Sequence, residues 1–395
     1  MSHRVILKRG RAKAVWMGHP WIFSGAILKE VGGPKAGDVV DVCDADERFI
    51  GRGFFSPGSQ IRVRMATLKE EPIDATFIKG RIRSAARLRQ KIGLPSAETD
   101  AFRLFNSEGD GLPGLIVDVF GDVLAVQFTA FGPKRVEEIV YDALGNLELG
   151  GKRARSIVEV SAGGFAEVEG FTSQNRVVRG EEIRTVACRE NGITLEVEPL
   201  GGQKTGMFLD QRENRRRIMG FARGARMLDV YTYAGGFALA ALRGGAASAT
   251  CVDSSARALE RARRHAELNS LGPVETIESD AFRFLETAKP RAYDIVVVDP
   301  PKFARAQKDL PAALKGYQRL NMLALTACAE GALFATSSCS QLVDEATFER
   351  MIGQAARDAG RRVRILERTS QGPDHPIVPS FDEGRYLKFV LCAVE

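Results

Sequence analysis

After Val197 short apolar runs alternate with longer amphipathic ones, and this rhythm restricts the fold more than any other feature of the sequence. The runs Met227–Tyr231, Ala249–Asp253, Val274–Ile277, Asp294–Val298 and Leu333–Thr336 have strand length, while segments such as Ser255–Asn269 and Leu342–Ala359 repeat apolar residues at helical spacing. Strands separated by helices cannot pair as hairpins. They build a mostly parallel sheet covered on both faces, a doubly wound, Rossmann-like α/β domain. The last two runs, Arg362–Glu367 and Tyr386–Val394, are joined by a turn-rich loop and suit an antiparallel edge pair.

The residues before this domain read differently. Short strands at Val5–Lys8, Asp38–Cys43, Phe49–Phe55 and Ile61–Thr67, broken by Gly, Pro and Asp, predict a small β-barrel over residues 1–72. A helix with Phe77, Ile78 and Ile82 on its apolar side is expected from Pro72 to about Ile92, followed by strands at Phe102–Asn106, Leu115–Phe120 and Val123–Phe128. A helix near Pro133–Leu144 and further strands to about Val186 complete a compact α+β domain over residues 73–190, leaving residues 191–395 for the α/β domain.

Composition narrows the function classes. The six cysteines (Cys43, Cys188, Cys251, Cys328, Cys339, Cys392) are scattered without a CxxC pair and the four histidines are isolated, so neither a zinc site nor a disulfide framework is expected. No basic start leads into an apolar leader, and no apolar run reaches the length of a membrane span, so a cytoplasmic enzyme is expected. The formal net charge is +6, unevenly spread. Residues 1–29 carry Arg4, Lys8, Arg9, Arg11, Lys13 and Lys29 without an acid, and Arg81, Arg83, Arg87, Arg89 and Lys91 form a second one-signed run. One such run is ordinarily a solvated face. Two of them outside the α/β domain favour a polyanionic partner such as nucleic acid.

The carboxyl edge of the expected sheet carries the chemistry. In LDVYTYAGGF (228–237) a strand passes through Gly235 and Gly236 into a helix, where glycine lets backbone approach a ligand. Asp253 closes the second strand, placed to accept hydrogen bonds from both ribose hydroxyls of an adenosine. Asp280 closes the third, where it also suits the N-cap of a helix starting at Ala281, and Asp299 closes the fourth. The first turn lacks GxGxxG and no phosphate-binding loop is present, so adenosine without pyrophosphate fits best, which points to S-adenosylmethionine. Just upstream, in QKTGMFLDQRENR (203–215), Asp210 with Glu213 has the spacing of a helix cap. Capping leaves Lys204, Thr205, Gly206 and Phe208 unexplained.

Two further corners suggest the acceptor. In VVVDPPKFA (296–304) two prolines force the chain rigidly out of the sheet after Asp299, beside Lys302 and a Phe303 able to stack on a base. In TSSCSQ (336–341) Cys339 follows an apolar strand at the same edge, flanked by Ser338 and Ser340, whereas the other cysteines mostly lie in apolar contexts. Carbon 5 of a pyrimidine accepts a methyl group only after a nucleophile adds at carbon 6, and a thiolate at Cys339 suits that addition. A carboxyl group at Asp299, contacting nitrogen 3 of cytosine, would stabilise the charge developing on the ring. The residues alone leave uridine carbon 5, an exocyclic nitrogen, and a non-catalytic RNA-binding assembly factor open.

In order, QKTGMFLDQRENR, LDVYTYAGGF, VVVDPPKFA and TSSCSQ resemble the bacterial ribosomal RNA large subunit methyltransferase I family. The likeness extends to His19-Pro20-Trp21, Phe23-Ser24-Gly25, Asp374-His375-Pro376 and Tyr386-Leu387-Lys388, and thins over residues 145–195. It implies a PUA RNA-binding barrel, a small central domain and a class I methyltransferase domain making 5-methylcytosine in large-subunit (23S) rRNA. It further implies Cys339 as nucleophile with Asp299 as partner, Asp253 on the ribose, Asp280 near the adenine, and Tyr231, Tyr233, Ala234, Gly235, Gly236 and Phe237 along the methionine side. On this basis Lys204, Thr205, Phe208, Arg212, Ser254, Ala281 and Asp299 join the cofactor contacts, and Arg9, Arg11, Lys13, Lys302 and Phe303 are the RNA contacts. Large-subunit rRNA, naked or in an assembling subunit, is the expected partner, with no metal and no membrane; a homodimer stays open. Many cytosine methyltransferases carry a second cysteine after the Asp-Pro-Pro corner, where this chain has Lys302.

Overall fold

The computed structural model describes residues 3–201, 206–272, 274–304 and 306–395. The chain divides into two units, the first made of residues 1–190, 196–209 and 373–384, the second of residues 191–195, 210–372 and 385–395.

The first unit opens with β1 (Arg4–Leu7), α1 (Lys13–Trp16), β2 (Trp21–Phe23), β3 (Ile27–Val31), β4 (Val39–Cys43), β5 (Phe49–Phe55) and β6 (Ile61–Thr67). These strands form one sheet in the order β2-β6-β5-β4-β1-β3, antiparallel except between β1 and β4. Inward residues, among them Val5, Leu7, Val40, Val42, Phe55 and Val63, share one apolar cluster. The strands β2 and β3 are additions to the sequence reading. The first has only three residues, and the second is an edge strand exposing Leu28, Lys29 and Glu30, so neither shows the alternation that marks a half-buried strand.

Next come α2 (Ala75–Lys91), β7 (Ala101–Asn106), β8 (Leu115–Phe120), β9 (Val123–Phe128), α3 (Phe131–Arg135), α4 (Glu137–Gly145), β10 (Glu148–Leu149), β11 (Lys152–Arg153), β12 (Ser156–Glu159), α5 (Gly164–Glu169), β13 (Arg176–Gly180) and β14 (Val186–Glu190). A five-stranded sheet, β13-β12-β9-β8-β7, packs Phe102, Leu104, Val117 and Val126 against Ile78, Ile82 and Ala85 of α2. That helix begins after Asp74 rather than at Pro72, because the Asp74 carboxylate accepts the Phe77 amide at 2.9 Å and so caps the first turn. The single helix expected near Pro133–Leu144 is two, parted at Val136, whose φ of −112° and ψ of 24° leave the helical basin. Arg89 belongs to the core rather than to a solvated face. It grips both oxygens of Asp110 at 2.6 and 2.8 Å and donates to the Arg103 and Asp374 carbonyls.

The strand β15 (Ile193–Val197) crosses the division between the units. Within the second unit lie α6 (Arg212–Phe221), β16 (Arg226–Val230), α7 (Gly236–Arg243), β17 (Ser248–Asp253), α8 (Ala256–Leu268), β18 (Val274–Glu278), α9 (Ala281–Thr287), β19 (Tyr293–Val298), α10 (Leu310–Ala327), β20 (Cys328–Ser338), α11 (Glu345–Asp358), β21 (Val363–Thr369) and β22 (Lys388–Val394). The sheet order is β18-β17-β16-β19-β20-β22-β21, with the first five strands parallel. Leu228, Val230, Val296 and Val298 enter one apolar cluster while Met227, Ile295 and Val297 enter another, so both faces are covered, as the unbroken apolar runs require. The closing strands pair antiparallel as expected, but β22 lies inside, between β20 and β21. The long α10 is a further addition to the sequence reading; it buries Tyr317, Leu320, Asn321, Ala324 and Leu325.

Sheet order reverses between β16 and β19, since the chain proceeds from β16 toward β17 and returns to β19 on the other side. The crevice beyond the carboxyl ends of these two strands is where such sheets bind ligands.

Candidate active site

The loop after β16 is held in an unusual conformation. Tyr231 and Tyr233 have φ of 62° and 51°, in the left-handed region costly for side chains, and Gly235 follows at 84°. A Cβ on Gly235 would also lie 2.9 Å from the Ala262 Cβ of α8, so glycine is required twice over. Three bonds fasten the turn. The Thr232 amide donates to the Val252 carbonyl (3.1 Å), the Tyr233 amide to Asp253 Oδ2 (2.9 Å), and the Thr232 hydroxyl to Asp229 Oδ2 (2.6 Å).

Asp229, which the sequence reading passed over, is buried inside this arrangement. Its Oδ2 also accepts the Ala238 amide at 3.0 Å, and burial pushes its carboxyl up to about 7 against the pull of those bonds. An acid in the middle of an apolar strand was the available signal. Asp253 takes the Ser255 amide on its other oxygen at 2.9 Å, fixing the turn between β17 and α8. Asp280 caps α9 by accepting the Arg283 amide at 3.1 Å, the bland role foreseen for it, beside a buried Ala281.

The other residues expected around the methyl donor divide. Ser254 is exposed after β17, while Phe237 is buried, stacked on Phe389 with ring centroids 5.8 Å apart. Arg212 is buried and pairs with Glu213 at 3.2 Å. Phe208 falls in the first unit, and Lys204 and Thr205 lie outside the described residues. Asp210 is corrected. It does not cap α6, whose N-cap is Gln211 without a side-chain bond; its carboxylate instead accepts the Tyr386 hydroxyl at 2.8 Å. A 3-10 turn over Leu209–Gln211 displaces Asp210 from the capping position.

At the end of β19, Asp299 Oδ1 accepts Gln211 Nε2 at 3.1 Å and the Ser337 hydroxyl. Gln211 is itself fixed by Asn214 Nδ2 (2.6 Å), and Asn214 by the Thr369 hydroxyl (2.7 Å). Both bonds to Asp299 fall on one oxygen, leaving Oδ2 without a hydrogen bond among the described residues. Burial raises the Asp299 carboxyl above its ordinary range, with Asp210 adding to the shift and Ser337 and Gln211 opposing it. Phe303, beyond the double proline, rests on Tyr317 with centroids 4.5 Å apart, and the Tyr317 hydroxyl accepts that of Ser338 at 3.1 Å. Lys302 is exposed.

Cys339 follows directly on β20. Ser337, which holds Asp299, is two residues before it, so the two corners named in the sequence meet at one edge. It is the one cysteine outside the core; the other five are buried, and burial pushes their thiols up. The arrangement thus offers a carboxyl group whose ionisation is opposed by burial, bonded to the strand that leads into a partly exposed thiol. Lys388, opposite Ser338 in the ladder, is a buried lysine that the sequence reading noted only within a motif; a lysine opening the apolar strand FVLCAV was the signal. No cluster of His, Cys, Asp and Glu suited to a metal ion occurs among the described residues, and no described helix is long and apolar enough to cross a membrane.

Residues 5–68 match the PUA-like domain family, and residues 171–391 match a family described as S-adenosylmethionine-dependent methyltransferase. Curated relatives named ribosomal RNA large subunit methyltransferase I include one from Alteromonas mediterranea, 38% identical over 100% of this chain and 99% of its own. Those of Aeromonas salmonicida (38%, 98% of each chain) and Escherichia coli O139:H28 (37%, 100% of each) agree. The chain belongs to the ribosomal RNA large subunit methyltransferase I family. Among solved structures, SMU.776 complexed with SAH superposes at a TM-score of 0.85, with 21% identity and all of both chains covered, and an S-adenosylmethionine-dependent methyltransferase of Streptococcus mutans at 0.84, also 21%. Both likenesses confirm the fold expected for the family.

S-adenosylmethionine is the methyl donor of this family. The donor set suits it. Asp253 keeps acceptor capacity beyond its two backbone bonds, and the strained Tyr231–Gly235 turn offers backbone groups at the switch point.

The RNA-contact candidates Arg9, Arg11 and Lys13 are exposed in the family's PUA-like domain, next to an exposed Trp16 and Met17. Arg9 pairs with Asp46 at 3.2 Å, both side chains exposed, a pairing weak enough to yield to a phosphate. On α2, Lys79, Arg83, Arg87 and Lys91 share one exposed face at four-residue spacing.

Proposed function

We propose that the protein methylates carbon 5 of a cytosine in large-subunit rRNA, with Cys339 as nucleophile and Asp299 as its partner. Residues 1–72 are read as the RNA-binding module, 73–190 as a central domain and 191–395 as the methyl-transfer domain. The observation that carries the reading is the meeting of the one cysteine outside the core with Asp299 through Ser337.

Asp253 and the backbone of Tyr231, Tyr233, Ala234, Gly235 and Gly236 would hold the methyl donor, with Asp280 toward the adenine. When bound, S-adenosylmethionine supplies an electrophilic methyl group. The chain's own task is to make carbon 5 nucleophilic. The Cys339 thiolate bonds to carbon 6, electron density moves onto carbon 5, and after methylation the carbon 5 proton passes to a solvent base while its bonding electrons re-form the 5,6 double bond and expel the thiolate. Nitrogen 3 of cytosine is an acceptor, whereas that of uridine carries a hydrogen. A carboxyl group held toward its neutral form, with Oδ2 uncommitted, therefore favours cytosine. The target nucleotide must leave its stack to reach this edge, and Lys302 and Phe303 stand beside it.

The test is bisulfite sequencing of rRNA from a deletion strain complemented with wild-type or Cys339→Ala protein. Modification restored by wild type alone supports the reading. Full activity in the alanine variant refutes the covalent step, and mass mapping to uridine or to an exocyclic nitrogen refutes the base.

A further inference from the structure

Lys388 is a buried cation with no counterpart among the roles assigned above. It opens β22 and pairs in register with Ser338, the last residue of β20. Its ammonium reaches past that pair and donates to the Ser340 carbonyl and, at 2.9 Å, to the Tyr386 carbonyl. Lys388 thus holds the residue before Cys339 through the ladder and the residue after it through its side chain. Ser338 and Ser340 are fully buried and fixed by further bonds, Ser338 to the Tyr317 hydroxyl and Ser340 to the Ala304 carbonyl at 3.4 Å.

We propose that Lys388 is a positioning residue for Cys339, its ammonium fixing the Ser338–Ser340 turn that carries the thiol and supplying the positive charge beside which the thiolate forms. The inference rests on Cys339 being the nucleophile. Burying an ammonium is unfavourable unless something negative answers it. Both hydrogen-bond partners of Lys388 are neutral carbonyls. The charged groups around it are Cys339, Glu345 and Asp344 at the start of α11, and Lys302 after β19; Glu349 and Arg368 also line a cavity of about 170 Å³ on which Lys388 opens. Burial lowers the Lys388 ammonium to about 8, with Lys302 adding to the shift and Cys339, Glu345 and Asp344 opposing it. A thiolate at Cys339 and the ammonium therefore stabilise each other, which increases the reactive form of the thiol near neutral pH.

The experiment is alkylation of the full-length protein by iodoacetamide between pH 6 and 10, with the rate at Cys339 read by peptide mass spectrometry, for wild type, Lys388→Met, Lys388→Gln and Lys388→Arg. In wild type the thiol is expected to titrate below the ~8.5 of a free cysteine. At pH 7 the Met and Gln variants should react at least about tenfold more slowly, approaching the wild-type rate once the pH exceeds their raised thiol pKa, while Arg stays within about threefold. Superimposable profiles for wild type and Met, a fall in Arg as deep as in Met, or recovery by the neutral Gln each overturn the charge role. If the neutral variants do not fold, a wild-type Cys339 titrating above ~8.5 overturns it unaided. Alkylation needs neither RNA nor methyl donor, so rRNA methylation by Cys339→Ala protein refutes the nucleophile reading while leaving the alkylation result to judge Lys388.

Discussion

Replacing Gly235 with alanine should damage donor binding by an amount that the backbone and one methyl group determine. At φ of +84° an L-residue costs about 1–2 kcal/mol. The added Cβ would sit 2.9 Å from the Ala262 Cβ and 3.4 Å from its Cα, and crowding of this kind in a packed interior costs about 1 kcal/mol or more. If the loop relieves both by leaving its binding conformation, about 2–3 kcal/mol must be restored on binding, which weakens S-adenosylmethionine roughly 30-fold or more. Titration calorimetry measures this directly, with thermal melting as the control for folding. The companion variant Ala262→Gly removes the methyl clash but not the backbone penalty, so Gly235→Ala with Ala262→Gly should recover only about fivefold. Undiminished affinity in Gly235→Ala, or full rescue by the companion, would refute this account of the turn.

Ser337→Ala should raise the Asp299 pKa further, because the hydroxyl bond it removes opposes the shift already caused by burial. Since the neutral acid is the form proposed to act, activity is lost as pH rises through that pKa, so the alkaline limb of kcat/KM should move to higher pH; a move to lower pH contradicts the assignment. Charge reversal at Arg9 and Arg11 should weaken RNA binding and lower the slope of log K against log salt by about 0.7–0.9 for each phosphate that is no longer neutralised, with donor affinity unchanged. An unaltered RNA affinity would remove this surface from recognition. Arg89→Met should destabilise the first unit by about 3–5 kcal/mol, because it strands the buried Asp110 carboxylate and two carbonyls. Urea unfolding followed by tryptophan fluorescence, with Trp16 and Trp21 both in that unit, would show it; destabilisation under ~1 kcal/mol would mean that Asp110 finds other partners.

The parallel strands were legible because strands covered on both faces must be apolar throughout, as Val296–Val298 are. The site corners were legible because glycine, double proline and edge carboxylates mark where chain leaves sheet. What was missed has two causes. The edge strand β3 is mostly exposed and β2 has only three residues, so neither shows the alternation that reveals a strand. The helix α10 does bury one side, Ala313, Tyr317, Leu320, Asn321, Ala324 and Leu325 at helical spacing, but Asn321 interrupts the apolar stripe and Pro311, Ala312 and Thr326 on the exposed side blur it. Asp210 looked like a cap by spacing, yet the Tyr386 hydroxyl, far away in sequence, claims its carboxylate.

By itself the sequence determined a doubly wound sheet whose strands end in Asp253, Asp280 and Asp299 at one edge, with Cys339 following the next strand there, because each of these follows from local pattern and from what a residue type can do at a strand end. Only the tertiary structure decided that Ser337 joins Asp299 to the turn carrying Cys339, that Arg89 leaves its basic run for the core, and that Lys388 bonds to the residue after that cysteine. Those pairings depend on β20 lying beside β19, on α2 packing on its sheet and on β22 entering between β20 and β21, where residues remote in sequence meet, and local pattern cannot encode such meetings.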